Sequence, residues 1–286
     1  MEITPEIIKK LRDRTGAGMM DCKRALEATG GDMDKAIEYL RKKGAAVSQK
    51  RADRAAKEGV IATRVSADAR TGVIVEVNCE TDFVGRSADF VAFAHAVAEA
   101  IEKHQPAGLE QVPALESGGK TIAQHLNDLL AKVGENVGIR RFEIVRSADG
   151  AISGYTHLGN KIGVLVELTG AAVADAATTG RDVAMQVAAM NPAVIQREQV
   201  DKAAVASELE VYKTQAKNEG KPDTIVERIA QGRLEKYYQE VVLLEQTFIK
   251  DGGKSLRDYL QESAAKAGKK FAVARFVRYY LGEETK

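Results

Sequence analysis

No tryptophan occurs among the 286 residues, and there are only two cysteines, five prolines and four histidines. Cys22 and Cys79 cannot build a disulfide framework, which points to a reducing compartment, and the chain is expected in the cytoplasm. His95, His104, His125 and His157 lack metal-ligand spacing: there is no His-Glu-x-x-His stretch and no cysteine pair to complete a zinc site. No metal and no cofactor is therefore expected. His95 falls near the apolar face of its helix and is expected to be packed. A Gly-x-Ser-x-Gly nucleophile elbow is also missing. No apolar run approaches the length needed to cross a bilayer, so no membrane contact is expected. Met1-Glu2-Ile3-Thr4-Pro5 is acidic and helix-starting, unlike a signal peptide. An excess of charge of one sign is lacking too. Lys and Arg total 42 against 41 Asp and Glu, so no global field pulls the chain onto nucleic acid. The missing tryptophan and scarce prolines exclude nothing by themselves.

What is present is a hydrophobic fraction of 44% with 29% charged residues, in a chain long enough for two or more cores. Residues 1 to about 44 read as three short helices. Thr4 caps the first, Pro5 opens it, and Ile3 and Ile8 occupy the two hydrophobic-staple positions. The second carries Met19, Cys22, Ala25 and Leu26 on one face, leaving Met20 among Lys23, Arg24 and Glu27. An exposed Met on a polar face is an adaptable contact. The third presents Met33, Ala36, Ile37 and Leu40. Arg41 to Lys57 then holds seven basic residues against one acid, Asp53. It lacks the aromatics a nucleic-acid patch usually interleaves, so it reads as a linker or a solvated, partner-facing helix, with no direct nucleic-acid binding expected.

The remainder contains a duplication. Gly72-Val-Ile-Val-Glu-Val-Asn78 resembles Gly163-Val-Leu-Val-Glu-Leu-Thr169, 91 positions on. Phe142-Glu-Ile-Val145 resembles Phe276-Val-Arg-Tyr279, 134 positions on. In each copy an amphipathic helix precedes the second segment (Ile122 to Val133; Leu256 to Ala267). The larger second offset means an insertion in the second copy, expected at about 192–246. Within it, Val205, Leu209, Tyr212 and Ala216 step at heptad-like spacing, as do Ala230, Leu234, Tyr237, Val241 and Leu244. A turn lies between them at Asn218-Glu-Gly-Lys-Pro-Asp-Thr224, which predicts an antiparallel helical hairpin. Each arm would project roughly 30 Å. The expected class is α+β: a three-helix bundle with basic linker at 1–50, a core subdomain at 51–140, and a second at 141–286 carrying the hairpin. Both subdomains are expected to combine antiparallel strands with packed helices.

One stretch stands outside the periodic patterns. Asn78-Cys-Glu-Thr-Asp-Phe-Val84 follows the strand-like Val73 to Val77. It precedes a helix whose apolar positions are Phe90, Phe93, Ala94, Val97 and Ile101, with Ser87 as N-cap. A carboxylate beside a large aromatic there is either a plug for the local core or a tool aimed at another molecule. Phe83 is not the helix's hydrophobic staple, because Arg86 occupies that position. A second candidate, Ala114-Leu-Glu-Ser-Gly-Gly-Lys120-Thr121, approximates a phosphate-binding loop. Ala replaces the first glycine, no strand precedes it, and Glu116 brings the wrong charge. Lys120 and Thr121 nevertheless define one rival reading, a nucleotide hydrolase; an RNA- or ribosome-associated module using the basic stretch is another.

Arg14-Thr-Gly-Ala-Gly-Met-Met-Asp-Cys-Lys-Arg-Ala-Leu26 and Asn78-Cys-Glu-Thr-Asp-Phe-Val84, with Val133-Gly-Glu-Asn136 and Tyr155-Thr-His-Leu-Gly-Asn-Lys-Ile-Gly-Val164, resemble the elongation factor Ts family over nearly the whole chain. The resemblance implies a guanine-nucleotide exchange factor of elongation factor Tu, not an enzyme, with an N-terminal ubiquitin-associated-like bundle, a two-subdomain core and a coiled-coil hairpin. It implies that Thr81, Asp82, Phe83 and Val84 dislodge magnesium from the partner's nucleotide site. It further implies partner contacts at Met19, Met20, Val133 and Gly134, with His157 toward another part of the partner. Some members carry an additional C-terminal helix after the position where this sequence ends; contacts of that helix are not implied.

Overall fold

Alternation along the central strands sets the architecture. In Thr71–Cys79 (β2), Val73, Val75, Val77 and Cys79 point one way and Gly72, Ile74, Glu76 and Asn78 the other, and all are buried. A strand buried on both faces must be covered on both. The computed structural model describes residues 3–51 and 56–284 and shows how this is done. β2 sits between Glu58–Val65 (β1) and Val137–Arg146 (β5), antiparallel to both. One face carries two helices, Ala88–His104 (α5) and Ile122–Val133 (α6), over a core that includes Phe90, Val97 and Ile101. A one-turn helix, Asp82–Gly85 (α4), joins β2 to α5, and a small hairpin, Glu116–Ser117 with Lys120–Thr121 (β3, β4), precedes α6.

The same order recurs. Ile162–Thr169 (β7) lies between Gly150–His157 (β6) and Ala272–Tyr280 (β10). A short turn, Val173–Asp175 (α7), runs through a π-helical stretch into Arg181–Met190 (α8). After an inserted hairpin come Thr247–Phe248 (β8), Asp251–Ser255 (β9) and Leu256–Lys266 (α11). Val164, Val166 and Leu168 face the helices, while Gly163, Leu165 and Glu167 face the first sheet.

The two sheets stack through Ile61, Ile74, Ile152 and Leu165, and their contacts are reciprocal. A Cβ on Gly72 would meet Ile152 Cγ2 at 2.7 Å, and one on Gly163 would meet Ile61 Cγ2 at 2.3 Å. Glycine is thus required for the sheets to approach. The Ile61 amide donates to Asn160 O at 2.7 Å, and the Ile152 amide donates to Ala69 O at 2.7 Å. Arg141 donates to Glu76 (2.7 Å) and to Tyr280 O (3.3 Å); Arg275 donates to Glu167 (2.9 Å) and to Arg146 O (2.7 Å). These pairs carry the same 91- and 134-residue offsets as the sequence duplication. Glu76 is fully buried, and Arg140, Asn78 Nδ2 and the Gly282 amide also donate to it, which compensates its desolvation.

The N-terminal bundle comprises Pro5–Thr15 (α1), Met19–Ala28 (α2) and Met33–Arg51 (α3), around Leu11, Cys22, Ala25, Leu26 and Leu40. α3 and α1 pack on α6. The basic stretch expected to act as a linker is helical as far as Arg51; part of it, residues 52–55, lies outside the described residues.

The insertion forms Lys202–Asn218 (α9) and Asp223–Val241 (α10), sealed by Ala216, Val226, Ala230 and Leu234. The projecting part is narrower than the expected 192–246. Ile195, Leu243 and Gln246 are buried in the body, and the entering and leaving chains are bonded there, Leu243 donating to Val194 O and Leu244 to Ile195 O. Arg197 braces the neck, donating to Glu235 and Glu245 and lying 4.1 Å from the Tyr238 ring. These charge-assisted bonds hold its guanidinium well above its ordinary range.

Candidate partner-binding site

Phe83 is 84% exposed, the most exposed large hydrophobic side chain among the described residues. Its display is built, not loose. Thr81 caps α4: its hydroxyl accepts from the Val84 amide at 3.4 Å. Val84 turns inward onto the first core, and Gly85 is buried where a Cβ would come within 3.3–3.4 Å of Gly59 and the Cys79 sulfur. Asp82 pairs with Arg86 one turn on, at 3.0 Å. The Phe83 side chain is left pointing outward. The next helix starts independently, with the Ser87 hydroxyl accepting from the Phe90 amide.

Cys79, directly beneath, donates to Thr81 O at 3.1 Å. Burial, reinforced by the Glu135 charge, pushes its thiol up to about 12. It stays protonated at neutral pH and serves as a donor rather than a nucleophile.

The loop after α6 lies against this turn. Gly134 ends α6 in the left-handed region (φ 69°) and sends the chain back toward residue 81. The Glu135 carboxylate accepts from both the Thr81 amide (3.0 Å) and the Thr81 hydroxyl (2.6 Å). In return the Asn136 amide donates to Glu80 at 2.7 Å. Val133 is half-buried and Gly134 exposed beside these bonds. The roles of Glu80 and Glu135 are not legible in the sequence, because their pairings join residues 56 and 54 apart.

One turn back, Lys132 pairs with Asp89 at 3.0 Å. A Cβ on Gly16 would strike Lys132 Cγ at 2.8 Å, so the bend before α2 sits on this lysine. Met19 and Met20 follow, 45% and 62% exposed. Met19 was expected in the bundle core and is not there; it opens the helix at N1, a turn above the buried Cys22. Thr81 thus meets Glu135, next to Gly134, and Gly16, three residues before Met19, lies against Lys132, next to Val133.

His157 sits apart, at the end of β6, its Nδ1 2.9 Å from the Tyr155 hydroxyl. The following turn returns to β1, where Lys161 pairs with Glu58 and the Asn160 carbonyl accepts from Ile61. His95 is exposed rather than packed, because it shares a helix face with Ala92 and Glu99. Lys120 is engaged by Asp128 at 2.7 Å, and Thr121 forms a capping box with Gln124.

The family model described as Elongation factor TS matches residues 80–283. The chain belongs to the elongation factor Ts family. It is 47% identical to the Elongation factor Ts of Chloroherpeton thalassium over 287 residues, covering 99% of both chains. The Elongation factor Ts of Prosthecochloris aestuarii is 47% identical, covering 98% of this chain and 99% of that relative. That of Clostridium perfringens is 45% identical, covering 98% and 93%. Membership makes this a translation elongation factor, acting in protein biosynthesis. Among the described residues no helix is long and apolar enough to cross a membrane.

Proposed function

We propose that this protein binds elongation factor Tu carrying GDP in the cytoplasm and promotes GDP release by displacing Mg²⁺ from the partner's nucleotide site. It remains bound until GTP enters, and it makes and breaks no covalent bond. The observation that carries this reading is the outward Phe83 on a turn tied down at every other residue. Magnesium neutralises charge between nucleotide phosphates and protein side chains, so removing it loosens the nucleotide. Phe83 acts as the wedge that shifts a metal-holding element, and Asp82 adds charge that disturbs the metal shell. Val133, Gly134, Met19 and Met20 supply the surrounding contact, and His157 meets a different part of the partner.

Magnitudes limit the wedge. Burying an aromatic side chain contributes roughly 1.5–3 kcal/mol, which is about one to two decades in affinity. The broader rim supplies the remainder. Coupling is reciprocal: a factor that weakens GDP binding is itself weakened by the nucleotide, and GTP binding drives it off.

The units of this machine are a ubiquitin-associated-like bundle with its basic tail at 1–50, subdomains at 51–140 and 141–286, and the hairpin insertion. No cofactor and no direct nucleic-acid contact enters the cycle. The hydrolase reading loses support from the geometry: Lys120 is engaged by Asp128, and Thr121 caps its own helix. The test is release of fluorescently labelled GDP from elongation factor Tu, alongside ATP and GTP turnover by the protein alone. Saturable acceleration without turnover is expected; turnover without acceleration would reverse the assignment.

A further inference from the structure

We propose that Glu135 is a positioning residue that fixes the Phe83 turn to the rim formed by α6 and the N-terminal bundle. The proposal rests on the exchange reading above. Glu135 accepts two bonds from one residue, the Thr81 amide at 3.0 Å and the Thr81 hydroxyl at 2.6 Å. Each bond goes to its own carboxylate oxygen, Oε2 taking the amide and Oε1 the hydroxyl, so the carboxylate grips Thr81 in a fork. Because the hydroxyl proton goes to Glu135, a Thr81 lone pair is left facing the Val84 amide, which it caps at 3.4 Å. The cap and the latch are therefore one arrangement.

A second rung runs the opposite way, from the Asn136 amide to Glu80 at 2.7 Å. The Cys79 thiol adds a third tie from below, to Thr81 O. Between them the rungs join the β2–α4 connection to the α6–β5 connection. α6 in turn seats the bundle, through α3 and through Gly16 on Lys132. Phe83, Val133, Gly134, Met19 and Met20 then move as one body.

The consequence concerns the timing of ordering. A loose turn could still dock, but it would order itself in the complex, and that cost would come out of the energy available for displacement. Loss of Glu135 is thus a loss of maximal rate. Half-saturation, set mainly by the unchanged rim, shifts little.

Four chains test this: the native one, Glu135→Gln, Thr81→Val and the double variant. Each is titrated against elongation factor Tu carrying labelled GDP, and the saturating release rate is read separately from the half-saturating concentration. Glu135→Gln is expected to lower the saturating rate about tenfold, with half-saturation moving less than about threefold. Thr81→Val should do the same, and the double variant should be no worse than either single, because both remove one unit. A raised half-saturation at an unchanged saturating rate would overturn the proposal by making Glu135 an ordinary contact. So would unchanged values of both, or additive losses.

A second readout needs no partner. The chain has no tryptophan, so Phe83→Trp introduces a single reporter on the turn. Time-resolved anisotropy of that reporter should gain fast-motion amplitude when Glu135→Gln is added, at an unchanged melting temperature. Unchanged amplitude would refute the latch. Should the native chain accelerate no release at all, the exchange reading fails, and the anisotropy still decides whether Glu135 holds the turn.

Discussion

An aromatic ring held in water is a standing cost, since folding ordinarily removes such surface. Phe83 carries that cost at 84% exposure while its neighbours Val84 and Gly85 are used for packing. The contrast within one helical turn distinguishes a displayed residue from a poorly packed one. Part of this was legible in the sequence: Arg86 in the staple position already removed one local use for Phe83. What holds the turn was not, because Thr81 and Glu135 meet only after β2, α5 and α6 have packed. Met19 and His95 were misplaced for a related reason. A helical face is read from period alone, and a residue at the first position or one step off the stripe is assigned by the neighbours it finds. Cys79 supplies a prediction at this scale. Its thiol is buried and pushed up to about 12, so Ellman's reagent should leave it unmodified in the folded protein at pH 8 and label it on unfolding in guanidinium. Because the folded value exceeds the ordinary 9.0, the protonated thiol favours the folded state. That contribution is present below about pH 9 and is lost as pH rises toward 12. Stoichiometric labelling of Cys79 under native conditions would contradict the buried-donor role.

Elements with strong local signals were readable in advance. Ser87 was readable as the cap of α5, and α6 and α11 were readable from their apolar faces, though the capping boxes of Thr121 with Gln124 and Ser255 with Asp258 that start them were not read. The strands were readable from their β-branched runs, and their doubling from the repeated Gly-Val-x-Val-Glu. The two short hairpins, β3–β4 and β8–β9, were missed, since two-residue strands leave no periodic trace. The glycines that open the repeated runs have a role that only the stacked sheets reveal. Gly163→Ala would place a methyl 2.3 Å from the fully buried Ile61. A loss of about 1–3 kcal/mol in urea unfolding is expected from such overpacking; native stability would mean the sheets separate more easily than their contacts indicate. The helical hairpin was legible from its heptad spacing, but not where it leaves the body. Its neck, 193–195 with 242–246, belongs to the second core. Replacing 202–241 with a short glycine-serine linker should therefore leave the melting transition of the remainder cooperative and close to native. Collapse of that transition would show that the arms are part of the core.

At the scale of the molecule, two similar halves face one another through reciprocal bonds, Ile61 to Asn160 against Ile152 to Ala69 and Arg141 to Tyr280 against Arg275 to Arg146. The sequence announced the repeat but not that its copies stack face to face, since inter-sheet contacts join positions with no shared period. The proposed contact residues Thr81 to Val84, Val133 and Gly134 all lie in the first half. The first half has Thr81-Asp-Phe-Val84 between its central strand and first helix, where the second has Ala171 to Asp175 and a π-helical turn. The helical bundle docks on that same half, through α6. Among the described residues Phe83 is the most exposed large hydrophobic side chain, and it stands on the half that also carries the bundle. The most direct measurement is stopped-flow release of labelled GDP from elongation factor Tu by the native chain and by Phe83→Ala, with circular dichroism melting as the control on folding. The account predicts matched melting curves and a saturating release rate lowered roughly ten- to a hundredfold. Release at the native rate from a folded Phe83→Ala chain would contradict it.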